Sequence, residues 1–201
     1  MWPGLSTTLT GERVVLEPLA ERHADGLRAA ACSGDPAATF RWMPVRLDDP
    51  GIFDGWFAQS LAALADGTEA PFATIDRASG TVLGSTRFMA LRPWFRSAEI
   101  GWTWLTPSAW RTGANIEAKK LMMSHAFETL GFIRVELKTD ALNERSRGAM
   151  AALPAQFEGI HRQHMIRTDG TYRDSAWFSV IDGEWPAVRA NLERRLAALP
   201  A

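Results

Sequence analysis

Cysteine occurs once in this chain of 201 residues, and so does tyrosine. The lone thiol, Cys32, excludes an internal disulfide and a cysteine-based zinc cluster, and it fits a reducing compartment. Net charge is nearly absent too, with 22 Lys and Arg against 23 Asp and Glu. No chain-wide field is available to hold nucleic acid or an anionic membrane, so a charged partner must be met locally. No apolar run approaches the roughly 18 residues of a membrane span. The opening MWPGLSTTLTGER lacks the basic start and apolar centre of a signal peptide. These absences lead us to expect a cytoplasmic protein with neither nucleic-acid nor membrane partners. No repeat, low-complexity tract or linker interrupts the chain, so one domain over residues 1–201 is expected.

What is present is a hydrophobic content of 46%, enough for a sizeable core, patterned in alternating strands and helices. The alternating, β-branched RVVLEPL (Arg13 to Leu19) predicts a first strand, and ERHADGLRAAAC a helix after it. Residues 33 to 50, rich in Gly, Pro and Asp, predict a loop. From Pro50 the apolar residues recur at helical spacing until the Asp66-Gly67 stop. Two strands around an Ala-Ser-Gly turn follow, then a third, SAEIGWTWL, Ser97 to Leu105. A helix from Asn115 to about Leu130 leads into IRVELKTD (Ile133 to Asp140), and a short helix from Glu144 precedes a long hairpin turning at Asp169-Gly170. A final helix carries Trp185, Val188, Leu192, Leu196 and Leu199 on one face. The strand-helix-strand crossover makes strands 97–105 and 133–140 parallel in an otherwise antiparallel sheet, a mixed α/β architecture with flanking helices. Ligands favour the carboxyl ends of strands at such a switch point.

At that end of the first strand stands TPSAWRTGANIEAKKLMMSHAF, Thr106 to Phe127, a loop with one glycine running into a helix. Unpaired backbone N–H groups and the positive dipole end make such a start an anion site. An ordinary cap at Asn115 is the plainer reading. At the same end of the second strand stands NERS, Asn143 to Ser146.

Taken in order, SAEIGWTWLTP, WRTGANIEAKKLMMSHAFETLGFIRVELKTDALNERS and EGIHRQHMIRTDGTYRDSAWFSVIDGEWP resemble the GNAT superfamily of acyl-CoA-dependent N-acyltransferases, in particular its RimJ/RimL-like branch. The resemblance implies a GNAT fold and acetyl-CoA as acyl donor. Its pyrophosphate loop maps onto Trp110, Arg111, Thr112, Gly113, Ala114 and Asn115, with Trp110 where Gln or Arg is usual and Asn115 where a small residue is usual. Gly113 lets the backbone approach the pyrophosphate, Arg111 supplies charge and Asn115 caps the helix. Trp104, Leu105 and Thr106, ending the preceding strand, are expected at the cofactor too, with backbone N–H groups near Trp104 and Leu105 polarising the thioester carbonyl.

The resemblance makes Glu99 the general base, needed because only the neutral amine attacks a thioester. Flanking Trp102 and Trp104 would raise its pKa, whereas pairing with Arg87 or Arg96 would make it merely structural. The family's N-x-x-S appears as Asn143 and Ser146, expected near the pantetheine arm and the thioester sulfur; both are also good helix-capping residues. The usual tyrosine acid is replaced by Met150, so the CoA thiolate either leaves unaided or is protonated by Ser146 or water. Arg41, Trp42 and Arg46 fall where the family builds its amine-acceptor site. His161 and His164, three apart on a strand, should point to opposite faces, so no metal site is expected. Cys32 is distant in sequence from the motif segments, which disfavours a covalent Cys route.

The leading expectation is direct transfer of an acetyl or other short acyl group to a primary amine, on a small molecule or a protein N-terminus. The alternative, suggested by Trp110, Met150 and Pro154, is a CoA-binding regulatory or scaffold module without transfer activity. A homodimer is also expected from the exposed hairpin and aromatic strands.

Overall fold

The computed structural model describes residues 2–167 and 169–200. Chain order is β1 (Leu9–Thr10), β2 (Val14–Pro18), α1 (Ala24–Cys32), α2 (Pro36–Phe40), α3 (Pro50–Asp66), β3 (Ala70–Asp76), β4 (Val82–Arg92) and β5 (Ser97–Leu105). Then come α4 (Ala114–Ser124), β6 (Arg134–Asp140), α5 (Glu144–Ala152), β7 (Gln156–Ile166), β8 (Tyr172–Ile181) and α6 (Trp185–Ala197). The eight strands form one sheet in the order β1-β2-β3-β4-β5-β6-β8-β7. Every neighbouring pair is antiparallel except β5 and β6, which the crossover through α4 makes parallel.

Each face of the sheet carries its own apolar cluster. On one, α1, α2 and α3 bring Leu27, Phe40, Phe53 and Trp56 against Trp104 of β5. Phe40 and Trp56 meet the Trp104 ring edge-on at 5.4 and 6.1 Å, an arrangement that adds to simple burial. On the other, Met122 and Met123 of α4 and Val188 and Leu192 of α6 cover Phe72, Phe88, Ile100, Val135 and Leu137.

Residues 33–50 contain the short helix α2, where a loop was expected. Asp35 caps it by accepting from Ala38 N at 3.1 Å, and Pro36 opens it, both ordinary start signals outweighed by the surrounding Gly and Pro. Helix α4 starts one residue earlier than expected and yields to a π-helical turn at His125–Thr129. Its cap is Gly113 at φ +94°, a conformation that favours glycine, and Asn115 is the exposed second helical residue. Asn115 therefore does not cap.

Of the register shifts in the sheet, two interrupt the side-chain alternation near the site. Ser85 pairs with Trp104 but Arg87 with Gly101, so Thr86 faces both Trp102 and Thr103, with Trp102 at φ +50°. Before this bulge the even-numbered Ala98 and Ile100 reach the α4 side; after it the odd-numbered Leu105 does, and Trp104 turns to the opposite cluster. The second, around Gln163 (φ +49°) in β7, places two extra residues between His161 and Met165. It brings His161 and His164 to the same side, both against Trp177 at 4.2 and 5.2 Å, contrary to the plain alternation. No group of His, Cys, Asp and Glu among the described residues is arranged to hold a metal ion.

Candidate active site

The parallel pairing of β5 with β6 lasts only three residues, ending at Glu99 opposite Glu136. Beyond that point β5 follows β4 as far as Leu105, and β6 follows β8 as far as Asp140. The two strands therefore part company inside the sheet. Backbone N–H and C=O groups on the facing edges lack ladder partners, and such groups must find another. The divergence gives a notch with Glu99 at its closed end and the Thr106–Gly113 loop and Asn143 at its mouth.

Glu99 is 2% exposed. Its Oε2 accepts from Lys138 Nζ at 2.8 Å, and the Lys138 ammonium lies 5.1 Å from the Trp177 ring centre. Burial raises the Glu99 pKa above the usual 4.5, and Lys138 opposes the rise. Neither expected arginine is its partner: Arg87 is held by Glu69 and Ser60, at 2.6 and 2.9 Å. Nor do the tryptophans make its surroundings, since Trp104 is packed on Phe40 and Trp56 and Arg87 lies over Trp102.

At the mouth, Arg111 at φ +65° and Gly113 at φ +94° twist the loop into a concavity of successive amides. Among the described residues, the amides of Arg111, Thr112 and Gly113 have neither a backbone nor a side-chain acceptor. Trp110 does not reach into this concavity; its Nε1 donates to Leu105 O at 2.9 Å, and the Arg145 guanidinium of α5 stacks over it at 4.2 Å. That stack ties the two sides of the mouth together. The Thr106 amide is already engaged by Leu83 O at 2.7 Å, and its hydroxyl meets that of Ser33. Ser33 follows Cys32 directly, so the cysteine's distance in sequence is not distance in space. Cys32 Sγ lies 3.9 Å from Asp48 O.

Asn143 is buried and caps α5, accepting from Ser146 N at 3.1 Å; Ser146 is half-buried beside it. Arg41 and Trp42 line a cleft at the carboxyl end of β6, with Asp140, Met165, Arg167 and Arg173. Arg46 does not join them, being paired with Asp48 at 3.1 and 2.7 Å.

One residue near the notch escaped the sequence reading. Lys119 of α4 donates to Thr103 Oγ1 at 2.8 Å, and Thr103 in turn meets Thr86 Oγ1 at 2.7 Å. The lysine thus braces the bulged segment of β5. Part of the residue keeps solvent contact, but its ammonium is enclosed, and burial lowers its pKa from 10.5 to about 7 with Glu99 opposing. The signal was available: Lys119 shares the helical stripe of Met122, Met123 and Ala126, all buried. Between pH 7 and 10.5 the unfolded chain holds a proton at this site that the folded one has released, so stability rises with pH over that window. Lys119→Met is expected to abolish this rise and to stabilise the protein at pH 6 by about 1–3 kcal/mol. Urea unfolding of both proteins at pH 6 and 9 checks it; equal pH dependence would mean an ordinary lysine.

These features, a split parallel pair, a bulged strand and an amide-lined loop at a helix start, fit the comparisons with known proteins. The acetyltransferase (GNAT) domain family matches residues 13–155. The chain belongs to that GNAT family. A GCN5-related N-acetyltransferase structure from Brucella melitensis is 36% identical with a TM-score of 0.89, over 98% of this chain and 88% of that one. The uncharacterised N-acetyltransferase YoaA of Bacillus subtilis (strain 168) is 32% identical over 100 residues, which are 50% of this chain and 55% of YoaA. The match thus spans about half of that relative. Mycobacterium smegmatis RimJ, solved in complex with CoA-disulfide, shares the fold at 22% identity, with a TM-score of 0.82 over 96% of this chain and 97% of that one. A GNAT fold implies binding of acetyl-CoA or CoA. No helix of this GNAT domain, among the described residues, is long and apolar enough to cross a membrane.

Proposed function

We propose that the protein transfers an acetyl or other short acyl group from acyl-CoA to a primary amine, by direct attack, in the manner of the RimJ/RimL-like branch. The observation that carries this reading is the notch between β5 and β6, closed by a buried carboxylate and opening onto unpartnered loop amides. The Arg111, Thr112 and Gly113 amides would hold the pyrophosphate, with Arg111 adding charge. The free edges of β5 and β6 would hold the pantetheine arm, and Asn143 and Ser146 lie at the mouth beside it. When bound, acetyl-CoA supplies an activated thioester carbonyl. Glu99, whose ionised form Lys138 favours against the effect of burial, takes the proton of the attacking amine directly or through a water. Met150 offers no proton, so Ser146 or water serves the leaving sulfur. A protein N-terminus and a small-molecule amine both satisfy this chemistry.

Calorimetric titration with acetyl-CoA and CoA tests the cofactor site. Substitution of Gly113 is a poor probe, because a Cβ there would stand 2.8 Å from Leu199 Cδ1 and 3.2 Å from Arg13 Cδ whatever the ligand. Arg111→Asp is better: aspartate tolerates the positive φ and the position is exposed. Acetyl-CoA should bind the wild type and bind Arg111→Asp at least about tenfold more weakly, a difference on the order of 1.4 kcal/mol. Equal affinities would place the pyrophosphate elsewhere.

A further inference from the structure

The cleft at the carboxyl end of β6 holds more positive charge than its surroundings neutralise. Arg173 of β8 is 8% exposed, and its Nε is buried without a hydrogen-bond partner. Among the described residues its nearest carboxylate is Asp140, at 3.9 Å, beyond hydrogen-bonding distance. Asp140 is itself engaged: Oδ2 accepts from Arg167 Nε and Nη2 at 3.1 and 2.7 Å, and Oδ1 accepts from Leu142 N at 2.9 Å. One carboxylate thus serves two guanidiniums, and Arg41 adds a third at the rim. A buried guanidinium without its own oxyanion is costly, and a planar fork of donors suits an oxyanion such as a carboxylate.

Lys138 stands two residues before Asp140 on the same face of β6, and its ammonium holds Glu99. The cleft therefore adjoins the candidate base. On the proposed acyltransfer reading, on which this step rests, we infer that the acceptor is an amine that also carries a carboxylate, bound by Arg173 in this cleft while the amine faces Glu99. Spacing narrows the class. Glu99 is level with Glu136, four residues before Asp140, or roughly 13 Å of strand. The side chains of Glu99 and Arg173 both reach into that interval, so the amine and the carboxylate of one acceptor can be held several bonds apart. An ω-amino acid of about six carbons fits the spacing, and so does a peptide N-terminus followed by glutamate.

The test compares 6-aminohexanoate with hexylamine, and peptides bearing Glu or Gln at the second position, as acceptors for wild type, Arg173→Met and Arg173→Lys. The acid is expected to exceed hexylamine in kcat/KM by at least about tenfold, the Glu peptide its Gln partner, or both. Preference for the acid alone assigns a small molecule; preference for the Glu peptide alone assigns a protein N-terminus. Arg173→Met should remove the preference by raising KM for the acid more than for hexylamine while leaving acetyl-CoA binding unchanged, and Arg173→Lys should keep part of it. Transfer to all acceptors without preference overturns the inference but not the acyltransfer reading. Independently of turnover, calorimetry with 6-acetamidohexanoate and N-hexylacetamide reads the cleft alone. Tighter binding of the acid, lost in Arg173→Met, supports the inference even if no acceptor is acetylated; equal binding, or no binding of the acid at millimolar concentration, overturns it.

Discussion

Glu99→Gln should lower kcat by about 10²- to 10⁴-fold, the usual contribution of a positioned general base, while leaving the affinity for acetyl-CoA unchanged. The argument starts from burial. At 2% exposure the Glu99 carboxylate titrates above the ordinary 4.5, because water no longer solvates its charge; Lys138 at 2.8 Å opposes that rise by favouring the ionised form. As pH falls through that raised pKa the base is protonated, so kcat/KM of the wild type should drop on the acid side. In Glu99→Gln this limb should vanish, since nothing remains to titrate. Lys138→Met gives the complementary sign: without its cation Glu99 binds a proton more readily, and the acid limb should move to higher pH. Gln at this position removes a buried charge, and its carbonyl oxygen can still accept from the half-buried Lys138, which loses only its counter-charge, so the variant should remain folded. A pH-rate profile at saturating acetyl-CoA, with calorimetry beside it, decides the matter. A variant within about threefold of wild type would assign the proton to another group, and a wild type that binds CoA without turning over would favour the alternative of a binding module.

Much of this arrangement was legible in the sequence, and the parts that were not share a cause. Period-two alternation identified β5, and the 3.6-residue period identified α4; the crossover between β5 and β6, with its parallel pair, followed from them. Bulges are not written in alternation. One extra residue at Trp102 flips β5 beyond it and two extra residues around Gln163 displace His164, so the orientation of Trp104 and the shared face of His161 and His164 depended on a backbone conformation that no residue type announces. Partnerships across the sheet were hidden for a different reason. That Glu99 meets Lys138, while Arg173 Nε has no hydrogen-bond partner among the described residues, depends on strand order, and β8 lies between β6 and β7 although it is the last strand in sequence. Asn115 was assigned the cap because Asn is a common cap; a glycine at positive φ took the position instead. Lys119 and Glu117 were readable, being charged residues on the buried side of an amphipathic helix, where a charge requires a partner.

Glu117 carries the largest expected effect on stability. It is 5% exposed, and its carboxylate accepts three backbone amides: Glu12 N at 2.9 Å, Arg13 N at 2.7 Å and Val14 N at 2.7 Å. The turn from β1 into β2 is thereby fastened to α4 by a single side chain, and Gly11 makes room for it, since a Cβ there would stand 2.4 Å from Glu117 Cδ. Glu117→Ala would leave three donors without acceptors. Water reaches the outer two more easily than Val14, so the expected loss is about 3–5 kcal/mol rather than the full sum of three buried groups. Glu117→Gln should lose less, because its carbonyl oxygen still accepts while its amide faces a donor. The consequence extends to the anion loop: Arg13 Nη1 donates to Thr112 O at 3.1 Å, so freeing the turn also frees one support of the loop. Urea unfolding should show a lower midpoint in the order wild type, Gln, Ala, and calorimetry should show acetyl-CoA affinity falling in the same order at a temperature where all three are folded. A Glu117→Ala protein as stable as wild type would mean that water replaces the carboxylate at all three amides; unchanged affinity alongside lost stability would mean that the loop holds its shape without Arg13.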